Sequence, residues 1–201
     1  MILVMNAIFC EVVKNIYRLK VPFDNIYTSV FLVKTDNGAM LVDSATTRED
    51  VDEYIIPALN ALGCETTDIN TLVLTHHHSD HAGGKDRILS LAPEVSVINS
   101  VCEICDGIST YSMPGHTEDS IGVLDIRTGT LISGDGLQGA GVDKYRCYLK
   151  VPKAYVETVE VIKNDKRIKN ILFSHAYEPW NKDSAIGREE VNACLKACII
   201  Y

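Results

Sequence analysis

Residues 75–81 read Thr-His-His-His-Ser-Asp-His, the densest group of chemically active side chains in this sequence. Three imidazoles and one carboxylate fall within six positions, at His76, His78, Asp80 and His81. Imidazole and carboxylate groups are common ligands of transition metals. The segment therefore predicts a metal site.

Three further polar residues stand in short motifs downstream: His116 in Pro-Gly-His-Thr, Asp135 in Ser-Gly-Asp-Gly and His175 in Phe-Ser-His-Ala. Only six histidines exist in the chain, and five belong to this set. A lone histidine is more often a structural residue, but seven ligand-type residues in this order favour metal binding. The remaining histidine, His77, lies between two of them, and we expect its side chain to point away.

The spacing predicts two adjacent metal sites. His76 and His78 project to the same side of an extended loop, whereas Asp80 and His81 follow a bend. We expect one metal at His76, His78 and His116, another at Asp80, His81 and His175, and one Asp135 oxygen on each. Bridged sites of this kind lie ~3.5–4 Å apart. Zinc suits the ligands best, and iron or manganese also accept them.

The elements that must position these residues alternate between strands and helices. The pattern predicts strands over 8–21, 28–34, 39–43, 71–75, 95–98, 121–126, 130–133 and 170–174. It predicts helices over 48–62, with Thr47 as N-cap, from about 84 to 91, over 152–163 and over 188–198. The second half repeats the plan of the first. Each candidate ligand follows a strand or a turn leaving one, so the ligands should converge.

Length and composition indicate one domain over residues 1–201, because 46% hydrophobic residues suffice for one core and no linker interrupts them. The formal net charge of −8 argues against a nucleic-acid partner. Residues 1–13 lack a basic start and are too short for a membrane span, which favours a first strand over a signal peptide. The apolar tail 199–201 is compatible with a homodimer.

Seven cysteines, an odd number without a disulfide framework, fit reduced thiols and a cytoplasmic location. Cys102 and Cys105 stand as a Cys-x-x-Cys pair, yet no second pair accompanies them. We expect buried or half-buried helix cysteines there rather than a redox or metal pair. The same holds for Cys194 and Cys198, one turn apart in the last predicted helix.

The order His-x-His-x-Asp-His, Pro-Gly-His-Thr, Gly-Asp and a final strand-end histidine resembles the metallo-β-lactamase superfamily. The resemblance extends from about Ile16 to His175 and includes Leu41-Val42-Asp43 and His81-Ala-Gly-Gly. It implies an α/β fold in four αββα layers made of two similar halves. Ser44-Ala45 stands where the family usually has Thr-Gly.

The resemblance also implies a dinuclear hydrolase in which a metal-bridging hydroxide cleaves an ester, thioester or lactone of a small, anionic substrate. Asp80 would hold a metal and relay a proton. The nearest branch looks like glyoxalase II and the lactonases, and Lys144, Tyr145, Arg146 and Tyr148 follow Asp135 where they could bind substrate. Solvated loop residues are an equal alternative for those four. Only 26 residues follow His175, which argues against glutathione thioesters.

Three other functions stay open. An iron-dependent persulfide dioxygenase would use chiefly one metal, held by two histidines and an acid. A phosphodiesterase shares the motif but fits the acidic charge poorly. A non-catalytic metal-dependent sensor would hold metal without an open coordination position.

Overall fold

The computed structural model describes residues 7–105, 107–137, 149–177 and 180–198. The chain divides after Ile98 into two compact units. Several residues discussed above lie outside the described ones: Lys144, Tyr145, Arg146, Tyr148, residues 1–6 and the tail 199–201. The prediction of a single domain over 1–201 stays a prediction.

The amino-terminal unit is built on one mixed sheet. Its strands, in spatial order, are β1 (Cys10–Val13), β2 (Ile16–Phe23), β3 (Ile26–Thr35), β4 (Gly38–Val42), β5 (Ile69–Val73) and β6 (Ser96–Ile98). The pairs from β1 to β4 are antiparallel, and β5 is parallel to both β4 and β6. Its helices are α1 (Arg48–Asp50), α2 (Ile56–Ala61), α3 (Ser79–Ala82) and α4 (Lys85–Leu91). Parallel pairs need such crossovers.

The helical crossover from β4 to β5 begins at Thr47, as the sequence predicts. The Thr47 hydroxyl accepts a hydrogen bond from the Asp50 amide, and the Asp50 carboxylate accepts one from the Thr47 amide. Between α1 and α2 the chain makes a π-helical turn, in which the Ile56 amide donates to the Val51 carbonyl. Pro57 follows at once, and it has no amide hydrogen for an α-helical bond. The wider turn thus accommodates the proline.

The carboxyl-terminal unit contains the second mixed sheet. Its strands are β7 (Glu103–Cys105), β8 (Ile108–Ser112), β9 (Ile121–Asp125), β10 (Thr130–Ile132), β11 (Asn170–Leu172) and β12 (Ser184–Ile186), and the spatial order follows the chain. Only β10 and β11 pair in parallel, through the crossover helix α5 (Pro152–Asn164). Helix α6 (Arg188–Ala197) follows β12. No described helix is long and apolar enough to cross a bilayer.

Each unit has its own apolar core. Leu19, Leu32, Leu41 and Leu72 pack in the first, together with the inner face of the α1–α2 crossover. Tyr155, Ile171 and Leu195 pack in the second, where α5 and α6 cover the sheet. In both units, antiparallel strands are followed by a helical crossover to a parallel strand. The predicted α/β class with two similar halves is therefore confirmed.

The segment from Cys102 to Ser112 departs from the prediction. Cys105 lies in β7 and Cys102 directly before it, so the expectation of helix cysteines at this pair is wrong. The Thr110 side chain explains the strand geometry, because its hydroxyl accepts from the Cys102 amide and donates to the Ser100 carbonyl. These contacts join positions eight and ten residues apart, which a local pattern does not reveal. Cys194 and Cys198 are buried at the end of α6, as expected.

Three polar side chains, Tyr111, Asp165 and Arg167, form a hydrogen-bonded cluster between β8 and the end of α5. The Arg167 guanidinium donates to both oxygens of Asp165, and the Tyr111 hydroxyl donates to the same carboxylate at 3.3 Å. Burial first, and then the negative charge of Asp165, raises the pKa of Tyr111 to about 12. Tyr111 therefore keeps its proton in the folded chain at a pH where the unfolded chain has lost it.

This shift predicts a loss of stability in alkali. Below about pH 10 the contribution of the raised Tyr111 pKa is fully present, and it is lost as pH rises towards about 12. Tyr111→Phe should therefore lose less unfolding free energy than the wild type between about pH 9 and about pH 11 in urea titrations. All other titrating groups are common to both proteins and cancel. An equal loss in the two proteins would contradict the assignment.

Candidate metal centre

Five of the seven predicted ligands lie in loops just beyond the carboxyl ends of strands, and Asp80 and His81 lie in the short helix α3 after the β5 loop. The histidine loop follows β5, His116 follows β8, Asp135 follows β10 and His175 follows β11. Strand ends are rigid, so side chains leaving them have defined directions. The prediction that strand ends supply the ligands agrees with this placement.

In the amino-terminal unit the four ligand-type residues form two pairs. His76 Nε2 lies 3.0 Å from His78 Nδ1, and His81 Nε2 lies 3.3 Å from Asp80 Oδ2. The rings of His76 and His81 have centroids 4.2 Å apart, so the two pairs are neighbours. His76, Asp80 and His81 are buried, whereas His78 and His77 are exposed. The pairing follows the division that the spacing predicts.

Asp43 determines which nitrogen of His81 carries the proton. Its Oδ2 lies 2.7 Å from His81 Nδ1, and both side chains are almost fully buried. A carboxylate only accepts, so the proton stands on Nδ1 and the lone pair on Nε2 faces Asp80. This arrangement leaves Nε2 able to bind a metal.

Thr75 determines the tautomer of His76 in a similar way. The Thr75 hydroxyl donates to Asp43 Oδ2 at 2.9 Å and lies 3.1 Å from His76 Nδ1. Because its single proton is already donated, the hydroxyl must accept from Nδ1, and His76 Nε2 holds the lone pair. The sequence pattern missed this role of Thr75. A hydroxyl between a strand end and the first histidine was the available signal.

The loop after β4 supports the backbone behind His81. Asp43 and Ala45 have positive φ, 65° and 60°, and the Ser44 amide and hydroxyl both donate to the His81 carbonyl. A Cβ at Gly84 would overlap the Ser44 carbonyl oxygen. Glycine is therefore required where the two backbones meet.

In the carboxyl-terminal unit, Asp135 directs its two oxygens to two different histidines. Oδ2 lies 3.6 Å from His116 Nε2, and Oδ1 lies 3.5 Å from His175 Nε2. All three side chains are buried. A carboxylate held in this way has the disposition of a bridging ligand.

The spacings fit transition-metal coordination. In a tetrahedral shell with ligands ~2.0–2.1 Å from zinc, neighbouring ligand atoms stand about 3.3–3.4 Å apart. The four pairs described above span 3.0–3.6 Å. The donors within each unit also fit, because imidazoles and carboxylates suit zinc and the neighbouring first-row metals.

The role of Asp43 leads to a test by conservative substitution. Asp43→Asn keeps the size of the side chain but places an NH2 donor against either the Thr75 amide or His81 Nδ1, so the His81 tautomer is no longer fixed by a carboxylate. We expect metal affinity to fall about ten- to hundredfold in chelator competition. Asp125→Asn is the matched control, since Asp125 is equally buried but pairs with Arg127. It should lower stability without changing metal affinity, and equal affinities in both variants would refute the role of Asp43.

The histidine loop gives a second test. His76→Ala should remove most bound metal, because Nε2 belongs to the His76–His78 pair. His77→Ala changes an exposed neighbour and should leave metal content near the wild-type value. Elemental analysis of the purified variants measures this difference. Similar losses in both would mean that the loop presents its histidines differently.

Comparison with known proteins relates this arrangement to one superfamily. The model described as "Metallo-beta-lactamase superfamily" matches residues 24–101. A hydroxyacylglutathione hydrolase from Vibrio campbellii is 26% identical over 68% of this chain and 64% of its own length. A beta-lactamase-like protein 2 homolog from Drosophila melanogaster is 27% identical over 67% of this chain and 55% of its own. The chain thus spans less than two thirds of these curated relatives.

The fold is also similar to that of solved metallo-beta-lactamases. The metallo-beta-lactamase FIM-1 from Pseudomonas aeruginosa, crystallised in a mono-zinc form, superposes with a TM-score of 0.72 at 15% identity. The match covers 94% of this chain and 93% of that one, so it concerns the fold of both units. Together with the ordered histidine and aspartate motifs, these similarities relate the chain to the metallo-β-lactamase superfamily, as the sequence resemblance implies.

Proposed function

We propose that the protein is a dinuclear metal-dependent hydrolase that cleaves an ester, thioester or lactone of a small, anionic substrate. The observation behind this proposal is Asp135, whose two oxygens face two different histidines. A single-metal site needs only one carboxylate oxygen. A carboxylate shared between two imidazoles is suited to bridging two ions.

The metal ligands divide into two sets in this proposal. His76, His78 and His116 hold one ion, Asp80, His81 and His175 hold the other, and Asp135 contributes to both. Support comes from within each unit: His76 pairs with His78, Asp80 pairs with His81, and Asp135 directs one oxygen to each remaining histidine. Zinc suits this donor set best, and iron or manganese are the alternatives.

Two bound divalent ions would lower the pKa of a coordinated water molecule and polarise a substrate carbonyl. Asp80 then has two tasks, because one oxygen faces His81 while the carboxylate keeps a small exposed fraction, 12% of its side chain. The second oxygen can accept the proton of the attacking water and return it to the leaving group. Asp43 and Thr75 keep the histidines in the tautomers that this chemistry needs.

The anionic substrate is proposed from the sequence alone. Lys144, Tyr145, Arg146 and Tyr148 are the candidate substrate contacts, and they lie outside the described residues. The hydroxyacylglutathione hydrolase relatives act on a thioester by name, yet the chain spans only part of their length. We propose a thioester, a lactone or another ester as the substrate class. A cytoplasmic enzyme, either monomeric or homodimeric, fits the same proposal.

A second candidate is an iron-dependent dioxygenase acting on a persulfide. The carboxyl-terminal unit supports it, since His116, Asp135 and His175 form a set of two imidazoles and one carboxylate, the donor type of non-haem iron oxygenases. It would require one iron per chain and oxygen consumption. A nuclease and a non-catalytic sensor have no observation of this kind in their favour.

Metal analysis and a substrate panel test the proposal together. We expect about two transition-metal ions per chain, and hydrolysis of at least one thioester, lactone or ester in a panel that includes β-lactams and phosphodiesters. Asp80→Asn should depress kcat on that substrate by about a hundredfold or more while changing KM little, because its task is proton transfer. Lys144→Ala should instead raise KM for an anionic substrate.

Three results would refute this proposal. One metal per chain that Asp135→Ala fully retains would exclude the bridge. An unchanged kcat in Asp80→Asn would remove its proton-transfer role. Oxygen uptake with a persulfide, without hydrolysis of any panel member, would establish the dioxygenase instead.

A further inference from the structure

The backbone just beyond Asp135 is held by a sulfhydryl group. Cys198, at the carboxyl-terminal end of α6, donates its Sγ–H to the carbonyl of Leu137 at 3.2 Å. Leu137 comes two residues after Asp135, and both Leu137 and Cys198 are about 1% exposed. The contact joins residues 61 positions apart in the chain. It therefore ties the last helix to the loop that presents a predicted bridging ligand.

A second thiol lies beside the first. Cys194 Sγ is 3.9 Å from Cys198 Sγ, one helical turn earlier, and is fully buried. The hydrogen bond with Cys198, and then burial, raise the pKa of the Cys194 thiol. Ionised Cys198 would place a thiolate against the Leu137 carbonyl oxygen, which is repulsive. The contact with the Leu137 carbonyl therefore requires the protonated Cys198 thiol.

Tyr155 of α5 connects this thiol to the other ligand loop of the unit. The hydrogen bond with Cys194 first, and to a smaller extent the Tyr155 side chain, lower the pKa of the Cys198 thiol, so Tyr155 lies beside that thiol. Its ring and backbone lie so close to Gly115 that a Cβ there would come within 2.8 Å of the Tyr155 Cβ. Gly115 directly precedes His116, and its carbonyl accepts from the Val151 amide at the start of α5. Tyr155 thus lies against the His116 loop and beside the Cys198 thiol.

We propose that Cys198, supported by Tyr155, is a positioning residue that fixes the Asp135 loop and so sets the metal affinity of the centre. This inference rests on the proposed function, because it assigns Asp135 to the metals. A cysteine that only filled the core would pack equally well without a directed donor. The directed Sγ–H to a backbone carbonyl of the ligand loop is the observation that distinguishes the two roles.

The test replaces the thiol donor and keeps its size. Cys198→Val removes the donor from the Leu137 carbonyl, and Cys198→Ser restores one. Cys194→Val is the matched control, since it changes an equally buried thiol of the same helix whose hydrogen bond is with Cys198 and not with the Leu137 carbonyl. Metal affinity of the holoenzyme, measured by zinc competition with a chelator, and thermal unfolding of the same samples are the two measurements.

We expect Cys198→Val to weaken zinc binding about threefold to tenfold, the effect of one lost hydrogen bond. Cys198→Ser should recover most of that loss, and Cys194→Val should stay within about twofold of the wild type although both valine variants lose stability. If Cys198→Val does not fold, Cys198→Ala serves as the donor-free variant.

Two outcomes would overturn the inference: wild-type affinity in every donor-free variant at Cys198, or equal weakening in Cys194→Val and Cys198→Val. If the proposed function itself were wrong, the metal content of other samples would show it. In that case wild-type protein would bind fewer than two ions, or Asp135→Ala would bind them as the wild type does. A wild type with two ions that Asp135→Ala loses, together with unaffected Cys198 variants, would remove only the positioning role.

Discussion

The orientation of the histidine loop in the amino-terminal unit depends on the hydrogen bonds that the Asp43 carboxylate accepts. This carboxylate accepts from the Thr75 amide, the Thr75 hydroxyl and the His81 ring, all within 2.9 Å. A buried carboxylate is costly unless its oxygens are satisfied, and these three donors satisfy them. The same contacts determine the tautomers of His81 and, through Thr75, of His76. One side chain thus has its buried carboxylate satisfied and orients two predicted metal ligands.

The two units orient their predicted metal ligands in different ways. In each, a helical crossover leads from an antiparallel strand to a parallel one, and polar residues follow the strand ends. The amino-terminal unit uses a charged residue, Asp43, to orient its imidazoles. The carboxyl-terminal unit instead holds the backbone of its ligand loops, through Tyr155 at Gly115 and Cys198 at Leu137. Side-chain orientation and loop anchoring are thus the two means of preorganisation in this fold.

Local patterns predicted what depends on neighbouring residues. Thr47 and Asp50 form a capping box within four residues, and the apolar runs before His76 and after Gly38 predicted their strands. The ligand-type residues were recognisable because their order is unusual. Patterns failed where distant residues decide: β7 depends on Thr110, and the anchoring of Leu137 depends on Cys198. The paired use of Asp43 and Thr75 likewise appears only when β4 and β5 lie side by side.

The contact between Gly84 and the Ser44 carbonyl has a consequence for mutational scanning of this chain. Any side chain at Gly84 would push the loop of Ser44 away from His81, although the residue has no functional group of its own. Gly83 is equally close to the Thr46 carbonyl. In a library of all single substitutions, these two glycines should be as intolerant as the histidines beside them. Intolerance along residues 76–84 would therefore mark two different requirements, ligand chemistry at the polar positions and backbone clearance at the last two.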